Sequence, residues 1–361
     1  MKKENIIVTA AEIGADGVWH KLNLELKDAR EISVKFEGDF KAVSGEAILR
    51  VFDESGVLNE RIKLNEVAKK QFWTEFSPGE RVSLEIDAAQ SAAGKITVSL
   101  LATSPQGTSD FVTDGKPQFL RPSDANIPDL PRKATARLIV GQQATFPLGT
   151  ALPSKTPDWC SGFLVSKNLL MTASHCVRRS SITCDQTVAM FGYEFRFPDG
   201  DVAARRCTNI VYLNPYIDVA VLALAPTPNE ASFVALRTDA PKADEPLSVV
   251  QYPYGSVQLV SNDQACHVQK PSVSIEPSRI EIQRAKLTGL GFSHGCDTLN
   301  GSSGAPVFDS SNEVVGIHQG GVAGSNLAIR MDVVLSCISI DPAKDNLTVL
   351  QPGELICKNI N

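Results

Sequence analysis

Thr172-Ala173-Ser174-His175-Cys176 and Gly301-Ser302-Ser303-Gly304-Ala305-Pro306 are the two strings on which the reading of this chain turns. The first sets a histidine beside a cysteine. The second sets a serine inside a glycine-rich turn, and Pro306 restricts the exit into the next strand. Between them, Asp218 opens the apolar run Val219-Ala-Val-Leu-Ala-Leu224. An imidazole, a carboxylate and a hydroxyl thus follow one another in the order His, Asp, Ser.

That order is one of three in which a serine, histidine and carboxylate triad is known to occur along a chain. A serine hydroxyl is a poor nucleophile at neutral pH, so an imidazole has to take its proton during attack. A buried carboxylate holds that imidazole in the useful tautomer. A pair of amide N–H groups has to meet the developing oxyanion, and loss of one such donor costs about 3 kcal/mol of barrier. The glycines around Ser303 allow the N–H groups of Gly301 and Ser303 to turn toward one point. Asp185 and Asp201 are the alternatives to Asp218 as the carboxylate. Gly289-Leu-Gly291 lacks the strand, turn and helix context of a phosphate loop.

Working outward, 361 residues predict two domains, each able to bury a core. With 43% hydrophobic and 21% charged residues the composition is that of a soluble globular protein. A net charge of -6 gives no basic face for nucleic acid. No apolar run reaches the roughly 18 residues that cross a bilayer. Met1-Lys2-Lys3-Glu4-Asn5 leads into an alternating segment, not an apolar signal core. Either a signal peptide has been removed and Met1 is artificial, or the protein stays inside the cell.

The cysteines favour the first option and a secreted or periplasmic location. Cys160, Cys176, Cys184, Cys207, Cys266, Cys296, Cys337 and Cys357 all fall in one part of the chain, and their number is even. That pattern reads as a disulfide framework made in an oxidising compartment. Zinc is the alternative, but there is no Cys-x-x-Cys pair and no histidine at finger spacing. Sequence proximity points to Cys184–Cys207, Cys266–Cys296 and Cys337–Cys357, among about 105 possible connectivities.

Residues 1–103 read as short strands, including Ile6–Thr9, Glu31–Phe36, Glu46–Phe52, Arg81–Ile86 and Lys95–Leu101. Turn residues separate them, which predicts an antiparallel β-sandwich accessory domain. Residues 104–133 hold Pro105, Pro117, Pro122, Pro128 and Pro131 among Gly, Ser and Asp, the composition of a linker. From 134 to 361 short strands resume and long amphipathic helices are absent. The chain is expected to be all-β.

The region from about 134 to 345 resembles the trypsin-like (chymotrypsin-fold) serine peptidases, in particular the bacterial branch with glutamyl endopeptidase and lysyl endopeptidase. The resemblance covers a little under two-thirds of the chain. It implies two six-stranded β-barrels with the site between them. It also implies His175 as general base, Asp218 as orienting acid, Ser303 as nucleophile, and Gly301 and Ser303 as the oxyanion-hole positions. Cys160-Ser-Gly-Phe-Leu-Val165 followed by Thr172–Cys176 matches the strand pair that carries the histidine, with Cys160 bridged to Cys176. Ser174 replaces the family's usual alanine and Ala305 its usual glycine, and both changes are small enough to be tolerated. Ser302 stands where activated animal members carry an aspartate that pairs with a newly cut N-terminus, so that zymogen switch cannot operate here. Arg137-Leu-Ile-Val-Gly141 looks like an activation cleavage site in letters but reads as the first barrel strand. Trp19, Phe72-Trp73 and Gly79–Glu85 resemble, more weakly, the β-sandwich that precedes some bacterial members.

The implied substrates are proteins or peptides, hydrolysed through an acyl-enzyme by a monomer needing no cofactor and no metal. Thr298 and His318 match the positions by which glutamyl endopeptidases grip a carboxylate side chain, which favours cleavage after glutamate. Asp297 stands where trypsin keeps its pocket carboxylate, which favours Lys or Arg. Gln319 and Gly320 are placed to pair with an extended substrate strand. His20, His267 and His294 are read as surface or turn residues. The competing functions are a binding protein on an inactive peptidase scaffold and an intracellular regulatory peptidase.

Overall fold

A computed structural model of the chain describes residues 5–7, 11–13, 22–25, 31–38, 47–54, 56, 58–63, 71–74, 77–78, 81–88, 94–103, 119–122, 125–140, 158–177, 184, 187–194, 203–226, 232–275, 287–322, 325–351 and 355–357. They are mostly β-strand, with few and short helices. Two compact units emerge: one takes in residues 1–108, the other chiefly 109–144, 157–193 and 202–361.

The first unit contains β1 (Asn5–Ile7), β2 (Ala11–Ile13), β3 (Leu22–Glu25), β4 (Glu31–Gly38), β5 (Ala47–Phe52), β6 (Leu58–Lys63), β7 (Gln71–Trp73), β8 (Ser77–Pro78), β9 (Arg81–Ala88) and β10 (Gly94–Thr103). One antiparallel sheet runs β1-β10-β4-β7, with β2 on β10 and β8 on β4. The other runs β3-β9-β5-β6. Alternate residues are buried: Ile32, Val34 and Phe36 in β4, Leu49 and Val51 in β5, Val82 and Leu84 in β9. A period of two gives each sheet one apolar face, as in stacked antiparallel layers. Trp19 and the Trp73 side chain lie outside the described residues, as do His20, Asp185 and Asp201.

In the second unit β11 (Thr135–Val140), β12 (Asp158–Leu164), β13 (Leu169–Ala173), β14 (Thr187–Phe191), β15 (Ala203–Asn214) and β16 (Val219–Leu224) form a closed barrel in the order β11-β12-β13-β16-β15-β14. The chymotrypsin-like all-β fold continues in a second sheet, of β17 (Ser248–Gln251), β18 (Leu259–Ser261), β19 (Val268–Ile275), β20 (Leu287–His294), β21 (Pro306–Phe308), β22 (Val314–Val322) and β23 (Ser325–Arg330). Its order is β18-β17-β21-β22-β23-β20-β19, seven strands where six were expected. The short β18 is an added edge beside β17. The seam back to β19 is closed by Asp244 N–H to Val268 C=O (2.8 Å), Val268 N–H to Glu245 C=O (2.9 Å) and Leu247 N–H to Cys266 C=O (2.9 Å). It is a single bridge, Pro246 opposite His267, and Pro246 has no N–H with which to extend it into a ladder.

Three cores follow. Leu138, Leu170, Ala189 and Leu222 fill the first barrel. Val249, Val268, Phe292 and Val315 fill the second sheet. Between them lie Phe163, Met171, Val219, Phe308 and Ile317, joined by Met331 and Val334 of the helix α3 (Met331–Cys337). A hairpin of β24 (Ile338–Asp341) and β25 (Asn346–Val349) follows that helix.

The Pro-rich stretch is structured on this unit from residue 119 onward. Leu120 and Val260 exchange both backbone hydrogen bonds at 2.9 Å. Pro128 precedes a helix α1 (Asp129–Ala134), with Pro131 in its first turn, where the missing N–H is no loss. Pro131 and Ala134 are buried. Cys160–Cys176, Cys184–Cys207, Cys266–Cys296 and Cys337–Cys357 are disulfides. No helix among the described residues is long and apolar enough to cross a membrane.

Candidate active site

His175 sits in the one-turn helix α2 (Ser174–Val177), directly after β13. All five residues of β13 are buried, which makes it a rigid platform for that turn. Asp218 ends the turn that precedes β16 and is only 4% exposed. Its φ of 53° lies in the left-handed region, which Asp and Asn tolerate better than most residues.

The two side chains meet. Asp218 Oδ2 lies 2.6 Å from His175 Nδ1, and Oδ1 accepts from the His175 N–H at 2.8 Å. The carboxylate next to Nδ1 fixes the proton there and leaves the Nε2 lone pair outward. Ser174 adds a third bond, its hydroxyl donating to Asp218 Oδ1 at 2.8 Å. Ser174 is therefore more than a tolerated small residue: its hydroxyl helps to orient the acid. Its N–H also bonds the Asp218 carbonyl, at 3.1 Å.

Ser303 lies in the loop before β21. Gly301 and Gly304 have φ of 96° and 83°. A Cβ at Gly304 would fall 2.2 Å from Thr172 Oγ1 and 2.3 Å from the Ser161 carbonyl oxygen; at Gly301 it would fall 2.7 Å from Tyr252 O and Tyr254 N. Only glycine fits either place. The loop engages its amides unevenly. Ser302 N–H bonds Leu299 C=O (3.0 Å), Gly304 N–H bonds His318 C=O (2.7 Å) and Ala305 N–H bonds Ser302 C=O (2.9 Å). Among the described residues, the amides of Gly301 and Ser303 have no acceptor.

Ser161, which sequence reasoning passed over, anchors this loop. Its N–H bonds the Ser303 carbonyl at 2.8 Å, and its hydroxyl donates to the Gly301 carbonyl at 3.0 Å. The same oxygen accepts from Tyr252 N–H at 3.0 Å, and its carbonyl accepts from Thr172 Oγ1 at 2.7 Å. The carbonyls of the two residues with unengaged amides are thus both drawn to one fully buried serine. The only sequence signal was its place next to Cys160.

The halves come together at the Cys160–Cys176 disulfide. The Ser303 carbonyl oxygen lies 3.7 Å from Cys176 Sγ, and a ring nitrogen of His175 lies within 4.8 Å of both sulfurs. With the sulfurs bonded to each other, this trio offers no thiolate to a metal. Ser303 Oγ donates to the Gln319 carbonyl at 3.3 Å, and Gln319 Nε2 donates to Ile217 C=O at 2.7 Å. Gly320, the next residue, is partly exposed in β22.

The residues expected to line a side-chain pocket, Asp297, Thr298 and His318, are all buried. Thr298 Oγ1 donates to Asn326 Oδ1 at 2.8 Å, and Asn326 Nδ2 donates to Cys296 C=O at 2.6 Å. The Asp297 carbonyl accepts from Gln251 Nε2 and Ser261 Oγ. His294, expected at the surface, is fully buried in β20, its Nε2 lying 3.3 Å from His318 Nδ1. It was misread because β20 carries few large apolar residues to mark it as a core strand. Burial pushes the His294 imidazole down to about 3. Burial, then the neighbouring His294 and His175, hold His318 well below the ordinary histidine value. His267 is a turn residue, its Nδ1 3.3 Å from Gln264 O.

Residues 160–317 match the family model of the trypsin-like peptidase domain. That match spans the disulfide, His175, Asp218 and Ser303. An uncharacterised protein of Sinorhizobium fredii, y4fB, is 27% identical over 46% of this chain; the aligned part is 26% of that protein, so the chain spans about a quarter of its length. Among solved structures, the active form of the Rv3671c protease from M. tuberculosis is 17% identical with a TM-score of 0.47, covering 70% of this chain and 99% of that one. A Glu endopeptidase in complex with MPD is 15% identical with a TM-score of 0.45, covering 62% and 96%.

Proposed function

We propose that the peptidase-like region, taken as residues 134–361, preceded by the segment 104–133, which is docked on it from residue 119, and by an accessory domain of 1–103, is a serine endopeptidase. The observation that carries the reading is the amide pattern around Ser303: the N–H groups of Ser302 and Ala305 are bonded within the loop and that of Gly304 to the His318 carbonyl of β22, whereas those of Gly301 and Ser303 have no acceptor among the described residues. Two unengaged donors beside a hydroxyl are what a tetrahedral oxyanion needs.

In the proposed reaction the Ser303 hydroxyl turns from the Gln319 carbonyl to His175 Nε2, a tightening common when substrate enters. Ser303 Oγ bonds the scissile carbonyl carbon as its proton passes to His175. Asp218 stabilises the resulting imidazolium through its bond to Nδ1. The C–N bond then breaks, with the imidazolium proton going to the leaving amine. Water, deprotonated by His175, hydrolyses the acyl-enzyme. Substrates are proteins or peptides, the enzyme works as a monomer, and the disulfides support a secreted or periplasmic setting.

For specificity we favour glutamate before the scissile bond. Both buried histidines are neutral, so each carries one proton and one lone pair. His294 Nδ1 has no protein partner among the described residues. A buried unpaired N–H is the rarer defect, so the His294 proton belongs on Nε2, donated to His318 Nδ1. His318 then keeps its own proton on Nε2, ready for a carboxylate. Cut-site mapping in a mixed peptide library separates glutamate from the Lys or Arg preference that Asp297 would confer.

The reading itself is tested with a fluorophosphonate probe. Wild type should be labelled at Ser303, and Ser303→Ala should lose the label and about 10⁶-fold of kcat. Correctly folded wild type that takes no label would leave an inactive scaffold that binds peptides.

A further inference from the structure

We propose that Asn214 is a positioning residue through which the C-terminal segment 355–357 sets the Asp218 carboxylate, an inference that rests on the triad reading above. Asn214 is the last residue of β15, is fully buried, and stands four residues before Asp218. Its Oδ1 accepts from Tyr216 N–H at 2.9 Å and Ile217 N–H at 3.3 Å, bracing the turn that ends in Asp218. Its Nδ2 donates to Ile356 C=O at 2.6 Å and to the Tyr212 hydroxyl at 2.8 Å. The orientation of the amide is unambiguous, because one end faces two N–H donors and the other two oxygens.

Ile356 is held in place by the adjoining Cys337–Cys357 disulfide, which ties the segment to the end of α3. The braced turn reaches the site twice. Asp218 follows Ile217 directly and bonds His175, while the Ile217 carbonyl accepts from Gln319 Nε2, whose backbone carbonyl meets Ser303 Oγ. Asp218 holds a left-handed φ of 53°, a conformation that persists only where its surroundings over-determine it. Asn214 supplies that determination from a segment more than a hundred residues away in sequence. Without it, the turn is free to relax and carry the carboxylate off Nδ1.

The test is a double-mutant cycle on the full chain, read as kcat and KM on a reactive ester. Asn214→Ala should lower kcat about tenfold or more with KM within about threefold. In an Asp218→Asn background the same change should cost less than about twofold, since no positioned carboxylate is left to lose. Removing Cys337 and Cys357 together, as Cys337→Ala with Cys357→Ala, should reproduce the kcat loss. If Asn214→Ala does not fold, Asn214→Asp serves instead: it keeps the acceptor for the turn and sets a carboxylate against Ile356 C=O. An equal factor in both backgrounds, or an unchanged kcat, overturns the proposal; an unchanged kcat in the cysteine variant overturns its C-terminal half. A wild type that hydrolyses nothing sinks the peptidase reading itself, whereas an active wild type with equal factors sinks this proposal alone.

Discussion

The barrel that presents His175 and Asp218 and the sheet that presents Ser303 handle their polar groups in opposite ways. On the barrel side the Asp218 carboxylate takes the Ser174 hydroxyl, the His175 amide and the His175 ring. On the sheet side the amides of Gly301 and Ser303 are left without acceptors among the described residues. On the proposed reading, the difference follows from when each group would act. A base has to be oriented before substrate arrives, so its partners are built into the folded chain. Donors for an oxyanion are useful only if nothing else occupies them. Ser161 joins the two regimes, because it belongs to β12 of the barrel yet holds both carbonyls of the loop.

The largest blow to this division should come from Gly304→Ala. The added Cβ collides with Thr172 Oγ1 and Ser161 O at a φ that disfavours any side chain. Activity should fall by about 10³-fold or more, with a drop in stability of about 1–3 kcal/mol. Peptidase assay with chemical denaturation checks it, and an active, stable variant would show that the loop moves freely from the barrel. Next in size is Ser161→Ala. It leaves the backbone bond to Ser303 and removes the hydroxyl bond to Gly301, so it should lower kcat about 10–100-fold with little change in KM. A fall in KM-limited binding alone would place Ser161 outside oxyanion geometry.

The smallest effect concerns the sheet side and is read as stability against pH. An unfolded histidine takes its proton near 6.5, whereas His294 stays neutral down to about 3. Between those values the unfolded chain binds more protons, so stability is lost as pH falls through that window. Each such histidine contributes a slope of about 1.4 kcal/mol per pH unit, or about 3–6 °C in Tm. Calorimetry of wild type and His294→Gln between pH 6.5 and 4.5 should give the variant the shallower slope; identical slopes would contradict neutral burial of this residue.

What the sequence made legible was whatever sits in local order. Alternation marked β4, β5, β9 and β10, and the Thr172–Cys176 and Gly301–Pro306 strings marked the candidate site. Its long-range partners were not legible. Ser161 meets Gly301 and Ser303, Asn214 meets Ile356, and Asn326 meets Thr298 and Cys296, each across a large sequence separation or through one hydrogen bond that no periodicity records. His294 was misplaced for a related reason: a histidine in a Gly- and Ser-bearing strand gives no sign of being buried until its imidazole partner is known. The prolines of 119–134 were ambiguous in the same way, since a docked segment and a free tether share one composition.

The pairing of the cysteines has a consequence for how such a chain matures. Each thiol joins the next one along: 160 with 176, 184 with 207, 266 with 296, 337 with 357. An oxidant that meets them in order of emergence makes the native set without an isomerase to reshuffle errors. In that order the last pair, Cys337–Cys357, closes after the other three, so on the proposed reading the brace that Ile356 gives Asn214 is the last part of the site to be secured.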